Sequence, residues 1–348
     1  MVVEKKQDYI TFASVVSSIA VIYMHTNNCF WAFSSTERYW LTATFINSFF
    51  QFAVPVFYLI TGATLIDYRE RYDTKTFFKR RLSKLLVPYV FWNAFGFLFQ
   101  LFYLKSIKME DVSVWFILNG FINGRLVNLY WFFIPLTAMY LAMPLFSSVA
   151  EEKRKKLFTY LAIGVICNGI ILPFIVSIFA LPVSVPTFFP FAANSVLYIL
   201  MGYLLTRLDF SPRKRKIIYL FGILGFFACF LGTYLSSIRA EQYISVYNGS
   251  NNFPCFLYSI AVFVFFRYEG NRLSDISLIR KTVAYLKQYT FSFYLIHWYL
   301  LNIFVRLTKI NTKSILHRML TPWLIIGISI IFTEAARKTR FGRKILPY

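Results

Sequence analysis

Apolar runs of about 20 residues recur along the whole chain, and each is long enough to cross a hydrocarbon core of roughly 30 Å. They fall at 9–27, 45–66, 83–104, 129–150, 157–180, 189–206, 217–236, 253–266, 289–308 and 321–336. Inside a bilayer a backbone must satisfy its own polar groups, so segments of this length imply helices. The expected fold class is therefore an all-α integral membrane protein of about ten transmembrane helices. Composition agrees: 58% of the 348 residues are hydrophobic and 21% aromatic, and the mean hydropathy is +0.56. That is more apolar surface than an ordinary soluble domain carries. The start "MVVEKKQDYI" has no small-residue cleavage site and reads as a first helix that is retained, not a removed signal. A single membrane domain over 1–348 is expected, with no soluble domain appended and no internal repeat visible.

The formal charge of +22 would suit a nucleic-acid binder, but its placement does not. One set of alternate connections holds Lys5 and Lys6, "YRERYDTKTFFKRR", "EEKRKK", "RLDFSPRKRK", "RYEGNRLSDISLIRKTVAYLKQ" and "RKTRFGRK", with 27 of the 37 Lys and Arg; the other set holds nine. Excess Lys and Arg mark cytoplasmic loops, so both termini are expected in the cytoplasm. Most of this charge then meets anionic lipid head groups. Membrane lipids, and not nucleic acid, are the expected partners of the basic face.

Between the spans, "SIKMEDVSVWFILNG" (106–120) has an apolar half too short to cross a membrane and suits a re-entrant or surface-lying segment. "LPVSVPTFFP" (181–190) and "SVYNGSNNFP" (245–254) read as external turn-rich loops. The four cysteines show no CxxC or Cys/His spacing, which speaks against a metal site. Cys29 and Cys255 both fall near the outer face, yet four unpaired thiols is the expectation.

Few residues could carry chemistry. His25, in "SSIAVIYMHTNNCFW" (17–31), lies in the outer third of the first span, followed by Thr26, Asn27 and Asn28. It reads either as an interfacial histidine at a helix end or as an ionisable group facing a polar cavity, and the second carries function. His297 falls near the middle of "QYTFSFYLIHWYLLNIF" (288–304), beside Trp298; it reads as interhelical glue or as a second site residue. His317, in the basic outer stretch "RLTKINTKSILHR", is given no role. Lys79, Arg80, Arg81 and Lys84 meet the cytoplasmic mouth of the third span, with Arg81 and Lys84 on one helix face. They serve as ordinary positive-inside charge or grip a phosphate through Arg forks and a Lys point charge. Asn47, Gln51, Asn93, Gln100, Asn168, Asn194 and Asn302 read mostly as interhelical glue. Tyr130 and Trp131 fit an outer aromatic belt. The chain shows no serine elbow, P-loop, GxGxxG or H-x4-D signature, and no carboxylate pair within the membrane.

Five stretches then fit one pattern in order and spacing: "FAVPVFYLITGATL" (52–65), "FFKRRLSKLLVPYVFW" (77–92), "YWFFIPLTAMYLAMPLF" (130–146), "YILMGYLL" (198–205) and "FSFYLIHWYL" (291–300). Together with His25 they resemble the bacterial membrane acyltransferase-3 family over essentially the whole chain. The resemblance implies transfer of an acyl group, often acetyl, from cytoplasmic acyl-CoA to a hydroxyl of a surface polysaccharide or glycolipid. It implies a multi-pass protein of the bacterial cytoplasmic membrane, with acyl-CoA as co-substrate and no permanently bound cofactor. His25 would deprotonate the acceptor or carry the acyl group, and His297 would shape the site or polarise the thioester. Lys79, Arg80, Arg81 and Lys84 would hold the donor phosphates. Asn27, Asn28, Tyr130 and Trp131 would meet the sugar. A homodimer or a polysaccharide-synthesis partner is compatible with such a role. So are two other readings on the same scaffold: a carrier or flippase-like transporter, and a non-catalytic partner. In one respect the chain departs from the family. Ser14 stands eleven positions before His25, where the family usually has arginine, so a basic group from elsewhere, such as the 79–84 cluster, would have to compensate.

Overall fold

The computed structural model describes residues 2–184 and 194–348. Among these residues it contains only helices, turns and loops. The helices are α1 (Val2–Thr26), α2 (Arg38–Phe50), α3 (Ala53–Leu65), α4 (Thr74–Leu98), α5 (Val114–Ile122), α6 (Phe133–Ser148), α7 (Glu151–Val165), α8 (Leu172–Ile178), α9 (Asn194–Arg207), α10 (Pro212–Phe227), α11 (Thr233–Ala240), α12 (Phe253–Ser274), α13 (Ser277–Lys287), α14 (Thr290–Thr308), α15 (Ile315–Arg337) and α16 (Arg340–Ile345).

Eight helical segments of the described residues are long and apolar enough to cross a membrane: Tyr9–Thr26, Arg38–Glu70, Thr74–Leu104, Asn128–Ser148, Glu151–Ile178, Pro212–Ala240, Phe253–Gly270 and Ile315–Arg337. The ten expected from sequence differ at two places. The 189–206 segment lies partly outside the described residues, and its described part is the 14-residue α9. The 289–308 segment forms the 19-residue α14, which carries polar Ser292, His297, Asn302 and Arg306 along its length. One start also moves. The tenth span was placed at 321–336, but α15 begins at Ile315 and buries His317 and Arg318. Arg318 earns its place in the helix by binding the carbonyls of Lys313 (3.0 Å), Ser314 (3.4 Å) and Tyr39 (3.4 Å), Asn27 Oδ1 (3.3 Å) and Thr42 Oγ1 (2.8 Å).

Local sequence explains the punctuation. Asp73 accepts from Thr76 N at 2.7 Å and caps α4. Ser211 caps α10, with Pro212 at its first position. The second span breaks into α2 and α3 at Gln51–Phe52. Pro55 has no N–H to give the Gln51 carbonyl and its ring crowds that oxygen; the Cys255 thiol takes the place of the missing donor, 3.8 Å away. Three membrane segments contain π-helical turns, at Phe99–Leu104, Ile166–Ile171 and Ala228–Gly232. The short apolar stretch after residue 106 forms only the nine-residue α5, capped by Ser113.

Packing relies on small residues, as expected where lipid removes the hydrophobic drive between helices. A methyl group on Gly62 of α3 would stand 1.9 Å from Ile199 O, and one on Gly202 of α9 would stand 2.0 Å from Leu59 O. The two backbones thus lie directly against each other. α1 is the hub of the bundle, touching α2, α3, α12, α13, α14 and α15.

Ion pairs link loops that the charge alternation groups together. Asp67 binds Arg154 at 2.7 Å and also Arg207, joining the ends of α3, α7 and α9. Arg267 binds Asp209 at 3.1 Å on the same face. On the other face Lys313 binds Glu37 at 2.8 Å.

Candidate active site between two cavities

The helical period places one face of α1 along two separate cavities. The larger, about 280 Å³, is lined from α1 by Ser14, Ser18 and Val21, and from α14 by Thr290, Phe291 and Tyr294. Its walls are mostly apolar: Val54, Phe57 and Ile60 of α3, Phe133 and Leu136 of α6. Its basic end carries Arg80, Arg81 and Lys84, neighbours on α4. Lys79, grouped with them in the sequence, stays outside the lining. Its carbonyl accepts the Ser83 hydroxyl, while the Arg80 guanidinium sits over the Tyr72 ring at 5.0 Å.

A further cation bonds to this cavity's lining, one the sequence reading missed. Lys287, the last residue of α13, turns its Nζ onto Ser14 Oγ at 2.9 Å. Desolvation, and secondarily the Arg81 charge, lower the affinity of this amine for its proton. Ser14 thus receives an ammonium from another helix at the position where a basic side chain was expected. Proximity of α13 to α1 is a tertiary fact, and no spacing in the sequence announces it.

The smaller cavity, about 170 Å³, is lined by His25, Thr26, Asn28, Trp298, Leu301, Asn302, Val305, Thr312 and His317. The two cavities share no lining residue. Along α1 they are adjoining stretches of one stripe: Ser14, Ser18, Val21, then His25. Along α14 the order is Phe291, Tyr294, then Trp298, with His297 at the junction.

At that junction His25 and His297 meet, ring centroids 5.0 Å apart and planes inclined by 53°. His297 is fully buried. Its Nδ1 lies 2.6 Å from Phe293 O. A carbonyl only accepts, so Nδ1 carries the proton and the neutral ring presents a bare Nε2. That Nε2 is buried with no hydrogen-bond partner among the described residues. His25 is half-buried and opens on the smaller cavity. His317, given no role from sequence, lines the same cavity, its Nδ1 2.9 Å from Thr321 Oγ1. Every histidine of the chain is therefore at or beside this chamber. Among the described residues, no group of three His, Cys, Asp or Glu is placed to hold a metal ion.

The other residues singled out from sequence divide. Asn28 is exposed and lines the smaller cavity. Asn27 is fully buried; its Nδ2 donates to Ala43 O at 2.7 Å and its Oδ1 receives Arg318, so it clamps α1 to α2 and α15. Tyr130 is also fully buried. Its hydroxyl donates to Leu295 O at 2.6 Å and lies 3.1 Å from that of Tyr299, which donates to Trp92 O at 2.7 Å. Trp131 is about half exposed and lines neither cavity. Trp298 and Asn302, by contrast, belong to the chamber. Their i, i+4 spacing one residue beyond His297 was legible, but a mid-membrane asparagine reads first as glue.

The arrangement offers an imidazole pair between a cation-ended apolar cavity and a small polar one. No curated protein and no solved structure matches the chain. A family model described as an acyltransferase domain does match, over residues 8–334, nearly the whole chain, and the protein is therefore a multi-pass membrane member of the type-3 acyltransferase family.

Proposed function

We propose that this protein takes an acyl group, acetyl being the expected one, from cytoplasmic acyl-CoA and delivers it to a hydroxyl of a surface polysaccharide or glycolipid. The observation that carries the reading is the His25–His297 pair standing between two cavities of different chemistry. The donor fits the larger one. Its phosphates meet Arg80, Arg81, Lys84 and Lys287, and its uncharged arm runs along the apolar walls. From Ser14 to His25 is eleven residues of helix, ~16 Å at the usual rise. The acceptor enters from the smaller cavity. Arg and Lys excess on that side supports a cytoplasmic, cation-lined mouth, and the bacterial cytoplasmic membrane is the location this reading implies.

In the reaction the His25 imidazole removes the acceptor hydroxyl proton as its oxygen attacks the thioester carbonyl. The tetrahedral intermediate collapses, the carbon–sulfur bond breaks, and the proton passes from the imidazolium to the leaving thiolate. His297, its Nδ1–H committed to Phe293 O, packs against the His25 ring and shapes the site. Asn28 lies at the acceptor side.

The test is transfer of radiolabel from acetyl-CoA to envelope glycans in nanodiscs, wild type beside His25→Ala. Label reaching glycan only with the wild type supports the relay. A folded wild type that neither cleaves acetyl- or succinyl-CoA nor labels glycan refutes it.

A further inference from the structure

The smaller cavity has a composition that limits what it can hold. Of its nine lining residues none is a carboxylate, ammonium or guanidinium. Its polar groups are two imidazoles, two amides and two hydroxyls, set among Trp298, Leu301 and Val305. Arg318, next to His317 in the chain, is fully buried, and its nitrogens bond three carbonyls, Asn27 and Thr42. An anion buried here would find no charged group in the lining to pair with, at a cost that neutral polar groups do not offset. A neutral ring rich in hydroxyls has no such cost.

Size and geometry agree. A cavity of 170 Å³ holds roughly a dozen water-sized groups, which is room for one sugar ring with its hydroxyls. The fixed bonds show which atoms remain for a ligand. Asn302 Nδ2 is turned back to Trp298 O at 2.7 Å, leaving its Oδ1 to accept. His317 Nδ1 faces Thr321 Oγ1, leaving Nε2 as its contact. Trp298 presents an apolar ring beside them.

We propose that this chamber is the acceptor subsite, that it takes a single neutral hydroxyl-rich sugar ring and rejects uronates and phosphorylated sugars, and that His317 and Asn302 hold the ring while His25 reacts with it. The proposal deepens the transferase reading and rests on it for the ring's role as acceptor; binding itself is independent of turnover. His317 is thereby a binding residue, one helix removed from the reacting pair.

Three histidines make the test direct. The full chain with ¹⁵N-labelled histidine in nanodiscs gives three imidazole signals, assigned by His317→Gln and His297→Gln. Titration uses methyl glycosides of glucose, galactose, mannose and N-acetylglucosamine as neutral probes, and methyl glucuronide and galacturonide as anionic ones. At least one neutral glycoside is expected to shift the His317 and His25 signals saturably, binding at least tenfold tighter than its uronide. Asn302→Leu should weaken that binding at least fivefold. If no neutral glycoside moves His317, or a uronide binds equally well, the proposal is overturned. Glycoside binding without any thioester cleavage would retain the subsite and sink the transferase reading instead.

Discussion

At the level of single residues, the consequence of the structure is a division of labour among imidazoles that look alike in sequence. Replacing His25 by alanine removes the proposed base and should lower acyl transfer at least ~10²-fold, the low end for a positioned proton acceptor, with donor KM nearly unchanged; steady-state kinetics in nanodiscs reads this. Lys287→Met should raise donor KM while sparing kcat. Because desolvation and Arg81 lower the proton affinity of that amine, it discharges at lower pH than an ordinary lysine. Donor affinity should therefore weaken with rising pH earlier than free lysine titrates, and the effect should vanish in Lys287→Met. Introducing Ser14→Arg into Lys287→Met returns a cation to the same point from α1 and should recover donor affinity. His25, His297 and the 80–84 cations were legible because charge is costly in an apolar run and so stands out there. Asn27 and Tyr130 stood out equally, but their partners, Ala43, Arg318 and Leu295, lie far away in sequence and turn them to structural use. Lys287 and His317 were hidden by the same distance.

Among the elements, the contact of α3 with α9 is the least forgiving. Ile199 O would be 1.9 Å from a methyl at Gly62, and a carbonyl in a helix has no room to yield. Gly62→Val or Gly202→Val should therefore prevent close packing and abolish the monodisperse peak in detergent gel filtration. Asp67 ties α3 to α7 and α9 through Arg154 and Arg207. Asp67→Ala strands the buried Arg154 guanidinium, while the more exposed Arg207 turns to solvent, and should cost on the order of 3 kcal/mol, read as a lower melting temperature in detergent. Most helix positions could be read from apolar length alone. The break at Gln51 could have been read as well, since Pro55 sits four residues on. The start of α15 could not, because what draws residues 315–320 into the helix is Arg318 bonding to Tyr39, Thr42 and Asn27.

For the whole molecule, alternation of loops is both the most legible feature and the simplest to test. Lys214→Cys on the Lys/Arg-rich face should resist a membrane-impermeant maleimide in intact cells, and Lys313→Cys on the opposite face should react. The reverse pattern would turn the molecule over. The two cavities share no lining residue, and His25 and His297 stand at their junction. On the proposed reaction, such a partition lets an acyl group change sides while the bulky molecules on either side stay where they are. No rocking of halves is required, in contrast to a carrier. In that reaction the bilayer would keep its ion gradient throughout, since only an acyl group passes from one side of the wall to the other.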